Sequence, residues 1–122
     1  MDGNLSVLLA EDEPMIRRSV ARFLAARSCE VQCCEAGQQA LELAASGSFD
    51  VVIADFELPT ADGRSLVEAL LCCSEHPRMI VISGHSIRPQ ALEKRDSDGI
   101  RYLAKPFDLE LLLSLIRDLT EA

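Results

Sequence analysis

The sequence has no long hydrophobic run and no excess of basic residues. No apolar stretch approaches the roughly 20 residues that a membrane-spanning helix needs, so we expect a soluble, cytoplasmic segment. Twelve Lys and Arg residues stand against 20 Asp and Glu residues, which gives a formal net charge of -8. Nucleic acid and anionic membranes both favour a basic protein surface. The composition therefore disfavours both as partners and favours a protein partner.

The sequence also lacks the cysteine spacings of disulfide frameworks and metal sites. It contains five Cys residues, of which Cys33-Cys34 and Cys72-Cys73 are adjacent pairs, and no CxxC motif or signal peptide accompanies them. We expect these cysteines to be small, buried hydrophobic residues in a reducing compartment. The chain has no repeat or flexible linker, and 48% of its 122 residues are hydrophobic. One domain over residues 1–122 is therefore predicted.

Short apolar runs alternate with helical patterns along the chain. The runs predict strands at Leu5–Ala10, Glu30–Cys34, Val51–Ala54, Arg78–Ser83 and Ile100–Ala104. Apolar residues at helical spacing predict helices from Pro14 to about Arg27, around Ala40–Ala44, at Leu66–Leu71 and at Leu112–Leu119, with a weaker pattern at Arg88–Arg95. Near-continuous apolarity is typical of strands that are covered on both faces. The alternation predicts a doubly wound α/β fold with a parallel sheet, for which we assume the strand order 2-1-3-4-5.

Polar residues follow four of the five predicted strands. Glu11 and Asp12 follow the first, Asp55 follows the third, Ser83 ends the fourth and Lys105 follows the fifth. Ligands of such sheets bind beyond the carboxyl ends of the strands, where the winding reverses. With the assumed order, Asp12 and Asp55 become neighbours at that point.

These side chains suit phosphoryl transfer. Two unit charges about 4 Å apart repel by about 4 kcal/mol at an effective dielectric constant of about 20, so clustered carboxylates need a compensating cation. Mg²⁺ and the ammonium group of Lys105 fit this need. Asp55 can then attack phosphorus to give an aspartyl phosphate. The cation, Lys105 and the Ser83 hydroxyl can each stabilise one oxygen of the transferred group.

Four motifs resemble the receiver domain of response regulators. They are Leu8–Pro14, Asp55–Pro59 with Asp62-Gly63, Ile82–Gly84 and Lys105–Phe107. Their order and spacing are similar to those of the family, and the resemblance covers essentially the whole chain. It implies a flavodoxin-like (βα)5 fold. It also implies a two-component or phosphorelay switch that receives its phosphoryl group from a histidine kinase or a histidine phosphotransfer protein, rather than a turnover enzyme.

The resemblance implies roles in phosphate and metal binding. Asp55 matches the phosphoacceptor, and Asp12, Asp55 and the backbone carbonyl of Glu57 match the Mg²⁺ ligands. Glu11 matches an acidic neighbour that reaches the metal through water. Lys105 matches the family's cation, which is usually joined to the following proline by a cis peptide bond.

The resemblance further implies roles in switching and in the lifetime of the phosphorylated form. Ser83 matches the hydroxyl that closes on the phosphoryl group, and Tyr102 matches an aromatic switch, with simple packing as the alternative. Glu57 and His85 lie two residues beyond Asp55 and Ser83, beside the path of the attacking water. The family often dimerises or contacts an effector through a surface that here corresponds to residues 88–120.

Several alternatives compete with these assignments. Asp12 and Asp55 each suit the N-cap of the following helix, and three arginines suit a solvated helix face: Arg17, Arg18 and Arg22. The DxD pattern of Asp55-Phe56-Glu57 resembles Mg²⁺-dependent hydrolases of the haloacid dehalogenase type, although those carry it on the first strand. A pseudo-receiver that binds no phosphate is disfavoured by the complete set of acids, Ser83 and Lys105. The sequence leaves open a stand-alone regulator or the receiver of a hybrid histidine kinase.

Overall fold

The computed structural model describes residues 4–73, 75–84 and 99–121. These residues form five parallel strands and four helices, joined by loops. The strands are β1 (Leu5–Ala10), β2 (Cys29–Cys34), β3 (Val51–Asp55), β4 (Met79–Ser83) and β5 (Ile100–Ala104). The helices are α1 (Pro14–Ala25), α2 (Gly37–Ser46), α3 (Leu66–Leu71) and α4 (Leu109–Thr120). The sheet order is β2-β1-β3-β4-β5. The predicted fold class and the assumed strand order are both confirmed.

The strand boundaries differ from the prediction by one residue in three places. β2 begins at Cys29, β4 begins at Met79, and β3 ends at Asp55 rather than at Ala54. Asp55 belongs to the strand because its backbone still pairs with Ile82 of β4, whatever the charge of its side chain. The predicted helix at Arg88–Arg95 lies outside the described residues.

Two hydrophobic cores lie on the two faces of the sheet. Alternate residues of β1 and β3 point to opposite faces, as the two-residue period of a strand requires. One face packs on α1 and α4, with these residues at its centre: Val7, Leu9, Ile53, Leu24, Leu112 and Ile116. The other face packs on α2 and α3, with these residues: Leu8, Val52, Val81, Ala40, Leu66 and Leu70. Burial on both faces explains why the strands are apolar without interruption.

The helix starts exclude one alternative for the acidic residues. The N-cap of α1 is Glu13, and Pro14 occupies the first turn, where its missing N–H is no loss. The N-cap of α3 is Ser65, which forms a capping box with Glu68. The N-cap interpretation of Asp12 and Asp55 is therefore wrong, since neither residue caps a helix.

The expectation that the cysteines are buried holds for only two of the five. Cys29 and Cys34 are buried, whereas Cys33, Cys72 and Cys73 are exposed, and all five are free thiols. Cys33 and Cys34 are neighbours in β2, the edge strand of the sheet, so their side chains point to opposite faces, and only Cys34 joins a hydrophobic core there. Burial raises the pKa of the Cys34 thiol to about 11. Among the described residues, no helix has the length and apolarity to cross a membrane.

Candidate functional site

The strand register brings the predicted site residues to one edge of the sheet. Ala10 of β1 pairs with Ala54 of β3, so Glu11 and Asp55, which follow them, lie side by side. Asp55 pairs with Ile82, so Ser83 comes one residue further along β4. Ser83 in turn pairs with Ala104, and Lys105 follows it. The side chains therefore converge beyond the carboxyl ends of β1, β3, β4 and β5, where the winding of the sheet reverses.

Lys105 links the two buried carboxylates of this edge. Its ammonium Nζ lies 3.0 Å from Oδ2 of Asp55 and 3.2 Å from Oε2 of Glu11. Oε1 of Glu13 lies 4.0 Å from the same nitrogen. The backbone N–H of Lys105 donates to the carbonyl of Ser83, and the peptide bond to Pro106 is cis, as the family resemblance implies. Lys105 is thus oriented by both its backbone and its side chain.

Backbone amides also hold both acids in place. Oδ1 of Asp55 accepts a 3.0 Å hydrogen bond from the Glu57 N–H, and Oε2 of Glu11 accepts a 3.1 Å hydrogen bond from the Glu13 N–H. Glu11 is 0% exposed and Asp55 is 6% exposed. Each acid therefore has a single orientation, which is the pre-organisation that a reactive carboxylate needs.

Burial and charge perturb two of these groups. Burial raises the pKa of Glu11 above its ordinary value, and the nearby charge of Asp55 adds to the effect against opposing hydrogen bonds. Burial by itself would lower the pKa of Lys105, but the hydrogen bonds and charges of Asp55 and Glu11 outweigh it, so the pKa of Lys105 is raised. Lys105 is therefore a permanent cation at physiological pH.

Three carboxylates form a group that fits a hard divalent cation. One oxygen from each of Glu11, Asp12 and Asp55 lies within 4.8 Å of the others, and no second group of this kind occurs within residues 4–73, 75–84 and 99–121. Oε1 of Glu11 is buried and has no hydrogen-bond partner among those residues. A buried oxygen without a donor is unfavourable unless a cation or water meets it. All-oxygen donors of this kind suit Mg²⁺.

Of the remaining predicted residues, Ser83 and Glu57 lie at this edge. Ser83 is half-buried at the end of β4, and Glu57 is exposed in the loop after β3. Tyr102 is half-buried on β5 and packs against the core on the α2 and α3 side, so its switch role stays a prediction. His85 lies outside the described residues. The predicted 88–120 surface is described only from residue 99 onward, where Arg101 forms a 2.9 Å ion pair with Asp118.

One residue that supports this edge does not follow from the sequence pattern. The pattern predicts a solvated face for Arg17, Arg18 and Arg22, and of these Arg18 and Arg22 are exposed. Arg17 is instead half-buried, and its Nη1 donates a 2.9 Å hydrogen bond to the backbone carbonyl of Glu11. Because its partner is a backbone carbonyl, no residue type in the sequence marks this contact.

Comparisons with known proteins agree with the fold. The chain matches the family model of the response regulator receiver domain over residues 7–117. It is 34% identical to transcriptional regulatory protein PdtaR of Mycobacterium tuberculosis over 93% of this chain and 59% of PdtaR. It is 29% identical to sensor kinase CckA of Brucella abortus over 99% of this chain and 13% of CckA. A crystal structure of response regulator protein TrrA from Thermotoga maritima, in complex with Mg(2+)-BeF, matches with a TM-score of 0.74 and 26% identity, covering 94% of this chain and 98% of that chain.

The chain belongs to the response regulator receiver domain family. It therefore has the phosphoacceptor role that these domains play in two-component systems, in which they interact with histidine kinases or phosphotransfer proteins. The family resemblance of the sequence is confirmed. The chain spans 13% of CckA and 59% of PdtaR, so it corresponds to one part of each.

Proposed function

We propose that Asp55 is the residue that accepts the phosphoryl group. The proposal depends mainly on one observation, the contact between a 6% exposed Asp55 carboxylate and the Lys105 ammonium 3.0 Å away. A nucleophile at this position is fixed in direction and lies next to a cation that can receive developing negative charge. Of the two neighbouring carboxylates, Glu11 contacts the same ammonium group at 3.2 Å but is fully buried, so a phosphodonor cannot reach it, and Asp12 is exposed.

The transfer is a substitution at phosphorus. A carboxylate oxygen of Asp55 forms the new bond to phosphorus, and the bond between phosphorus and an imidazole nitrogen of the donor's phosphohistidine breaks. The electron pair of the breaking bond stays on that nitrogen. Lys105 neutralises one oxygen of the transferred group, and the Ser83 hydroxyl donates a hydrogen bond to another. The chain modifies only itself in this reaction.

We propose Asp12, Asp55 and the backbone carbonyl of Glu57 as the groups that hold Mg²⁺, with Glu11 linked to it through water. When bound, Mg²⁺ supplies positive charge for the phosphoryl oxygens. Support comes from the clustered carboxylate oxygens and from the partnerless buried Oε1 of Glu11 among the described residues. The TrrA structure, which holds Mg(2+)-BeF, is a relative of the same fold.

Incubation with Mg²⁺ and acetyl phosphate tests the assignment of Asp55. Wild-type protein should gain one phosphoryl group by intact mass spectrometry, and Asp55→Asn should gain none, because a carboxamide is a poor nucleophile. Asp50→Asn is the matched control, since Asp50 is an exposed carboxylate just before β3. Labelling of Asp55→Asn at the wild-type level would exclude Asp55 as the acceptor. Multiple turnover of a phosphate ester would favour the hydrolase alternative instead.

We also propose that Glu57 influences how long the phosphoryl group persists. Glu57 is exposed two residues beyond Asp55, and its N–H already contacts the Asp55 carboxylate. A long acidic side chain there can orient or block the attacking water. Glu57→Met should change the decay rate of the phosphorylated protein without changing its Mg²⁺ affinity. Decay within about twofold of wild type, a barrier change below roughly 0.5 kcal/mol, would remove this role; His85→Ala tests the sequence-based prediction in the same assay.

The proposed donor is a phosphohistidine of a histidine kinase or a histidine phosphotransfer protein. The similarity to a sensor kinase and to a transcriptional regulator keeps both a hybrid kinase and a separate regulator as the protein context. Phosphorylation would then alter the surface of β5 and α4, where Tyr102 and the Arg101–Asp118 ion pair lie. Phosphorylation-dependent changes in the amide NMR signals of residues 99–121 would test this output.

A further inference from the structure

The start of α2 approaches the loop after β3 unusually closely. A Cβ atom added to Gly37, the first residue of α2, would lie 2.3 Å from the carbonyl oxygen and 2.9 Å from the carbonyl carbon of Pro59. Both are backbone atoms, so a side chain at residue 37 can only be accommodated if the helix or the loop moves. Gly37 does not have a positive φ. Space, rather than backbone conformation, therefore requires glycine here.

A hydrogen bond joins the same two elements one residue further along. Oε1 of Gln38 accepts a 2.9 Å hydrogen bond from the Ala61 N–H. Nε2 of Gln38 donates to Glu42 one turn later in α2, which holds the amide group in that orientation. The loop thus lies close against α2 at Pro59 and is hydrogen-bonded to it at Ala61.

Backbone hydrogen bonds within the loop hold its two ends together, so a displacement of one part of the loop also displaces the rest. The Leu66 N–H donates to the Leu58 carbonyl at 2.7 Å, and the Thr60 N–H donates to the Arg64 carbonyl at 2.7 Å. At its other end the loop meets the site, where the Glu57 N–H donates to Oδ1 of Asp55 and the Leu58 N–H donates to the Asp55 carbonyl. Moving the loop relative to α2 therefore moves Glu57 relative to Asp55.

We propose that Gly37 and Gln38 are positioning residues for the metal-binding loop, holding the Glu57 carbonyl in the orientation that binds Mg²⁺. This inference rests on the proposed function, in which the Glu57 carbonyl is a ligand. A loop that samples other orientations binds with an apparent affinity reduced by the fraction in the competent one. Loss of the attachment should therefore weaken Mg²⁺ binding even though neither residue contacts the metal.

The decisive variants change Gln38 and leave the ligands intact. Gln38→Met keeps the length of the side chain and removes the acceptor, whereas Gln38→Glu, made together with Glu42→Gln so that residue 42 can donate to the new carboxylate, keeps an acceptor oxygen. Gln39, the next residue, is exposed, so Gln39→Met and Gln39→Glu serve as controls for helix composition and for added charge. From the usual strength of one hydrogen bond, Gln38→Met should weaken Mg²⁺ binding by about three- to tenfold in calorimetric titration. Gln38→Glu and both Gln39 variants should stay within about twofold of wild type.

Several results would overturn the inference. They are Gln38→Met binding Mg²⁺ as wild type does, Gln38→Glu failing to restore binding, or Gln39→Met weakening it equally. The proposed function fails separately, if Asp12→Ala binds Mg²⁺ as well as wild type does. In that case amide hydrogen exchange measured without metal still tests whether Gln38 holds the loop after β3 in place. Gln38→Met should accelerate exchange at Glu57 and Leu58 relative to Gln39→Met, and unchanged exchange at both would refute the attachment.

Gly37→Ala provides an independent test. At a helix start with ordinary backbone angles, glycine to alanine usually stabilises a protein. Here the close approach to Pro59 predicts the opposite sign, a lower melting temperature, together with weaker Mg²⁺ binding in the folded protein. An increase in melting temperature with unchanged Mg²⁺ affinity would show that the loop has room to adjust and would contradict the proposed role of Gly37.

Discussion

The two edges of the sheet use carboxylates in opposite ways. At the amino edge, the exposed Asp50 accepts a 2.7 Å hydrogen bond from the Ser6 N–H and so joins β1 to the loop before β3. At the carboxyl edge, Glu11 and Asp55 are almost fully buried beside one lysine, Lys105. Burying two like charges together is unfavourable, whereas an exposed carboxylate loses little hydration. The carboxylate at the amino edge therefore stabilises the fold. The buried carboxylates at the carboxyl edge destabilise it, as is expected where they are kept for phosphoryl transfer.

The largest expected difference between the edges is in Mg²⁺ affinity. Asp12→Ala should weaken binding by about a hundredfold or more, because it removes the proposed direct ligand, whereas Glu11→Ala should weaken it by only about tenfold, because it removes the proposed water-mediated contact. Asp50→Ala, at the other edge, should have no effect. Calorimetric titration of the three variants measures this. Equal affinities for wild type and Asp12→Ala would place the cation elsewhere.

Asp50 should matter for stability instead. Asp50→Ala removes the acceptor of the Ser6 N–H and should lower the free energy of unfolding by about 1.5 to 2 kcal/mol, the lower part of the range for a hydrogen bond to a charged group. Urea unfolding checks this value. Asp50→Asn keeps an acceptor oxygen and should therefore lose less stability than Asp50→Ala. If Asp50→Ala unfolds like wild type, the amino edge does not depend on this carboxylate.

The electrostatic cost at the carboxyl edge predicts a pH dependence. Because burial raises the pKa of Glu11 above its ordinary 4.5, the folded protein binds more protons than the unfolded chain between the two pKa values. The free energy of unfolding should then fall as the pH rises through that window. Glu11→Gln does not titrate, so its stability relative to wild type should increase across the window and then level off. Urea unfolding with EDTA at several pH values tests this, and a difference independent of pH would contradict it.

The smallest expected effect is a gain at the amino edge. Ser28 lies just before β2 and has a φ of 66°. Its backbone carbonyl accepts a hydrogen bond from the Leu5 N–H at the start of β1. The left-handed region costs a side-chain-bearing residue about 1 kcal/mol, and part of that is offset because glycine increases the entropy of the unfolded chain. Ser28→Gly should therefore stabilise the protein by about 0.5 kcal/mol, measured by thermal unfolding. The reverse change Gly63→Ala, at a φ of 92°, should destabilise it, and a loss of stability in Ser28→Gly would contradict the argument.

The principal residues of the site could be predicted because each follows a recognisable apolar strand. Asp55, Ser83 and Lys105 lie where the pattern placed them, since the ends of parallel strands meet at one edge. Arg17 and Gln38 could not be identified in this way. Each contacts a backbone atom outside its own helix, namely the Glu11 carbonyl and the Ala61 N–H. Backbone acceptors and donors leave no signature in residue type.

Local sequence determined the strands, the starts of two helices and the polar residues after four of the strands, because periodicity, Pro14 and the Ser65–Glu68 capping box act over a few residues. The sheet order was an assumption until strand pairing in the tertiary structure decided it. Tertiary structure also decided that Glu11 is buried without a partner for Oε1 among the described residues. It further determined that Gly37 meets Pro59. Both depend on the distance between segments remote in sequence, which only the packing of the two faces of the sheet sets.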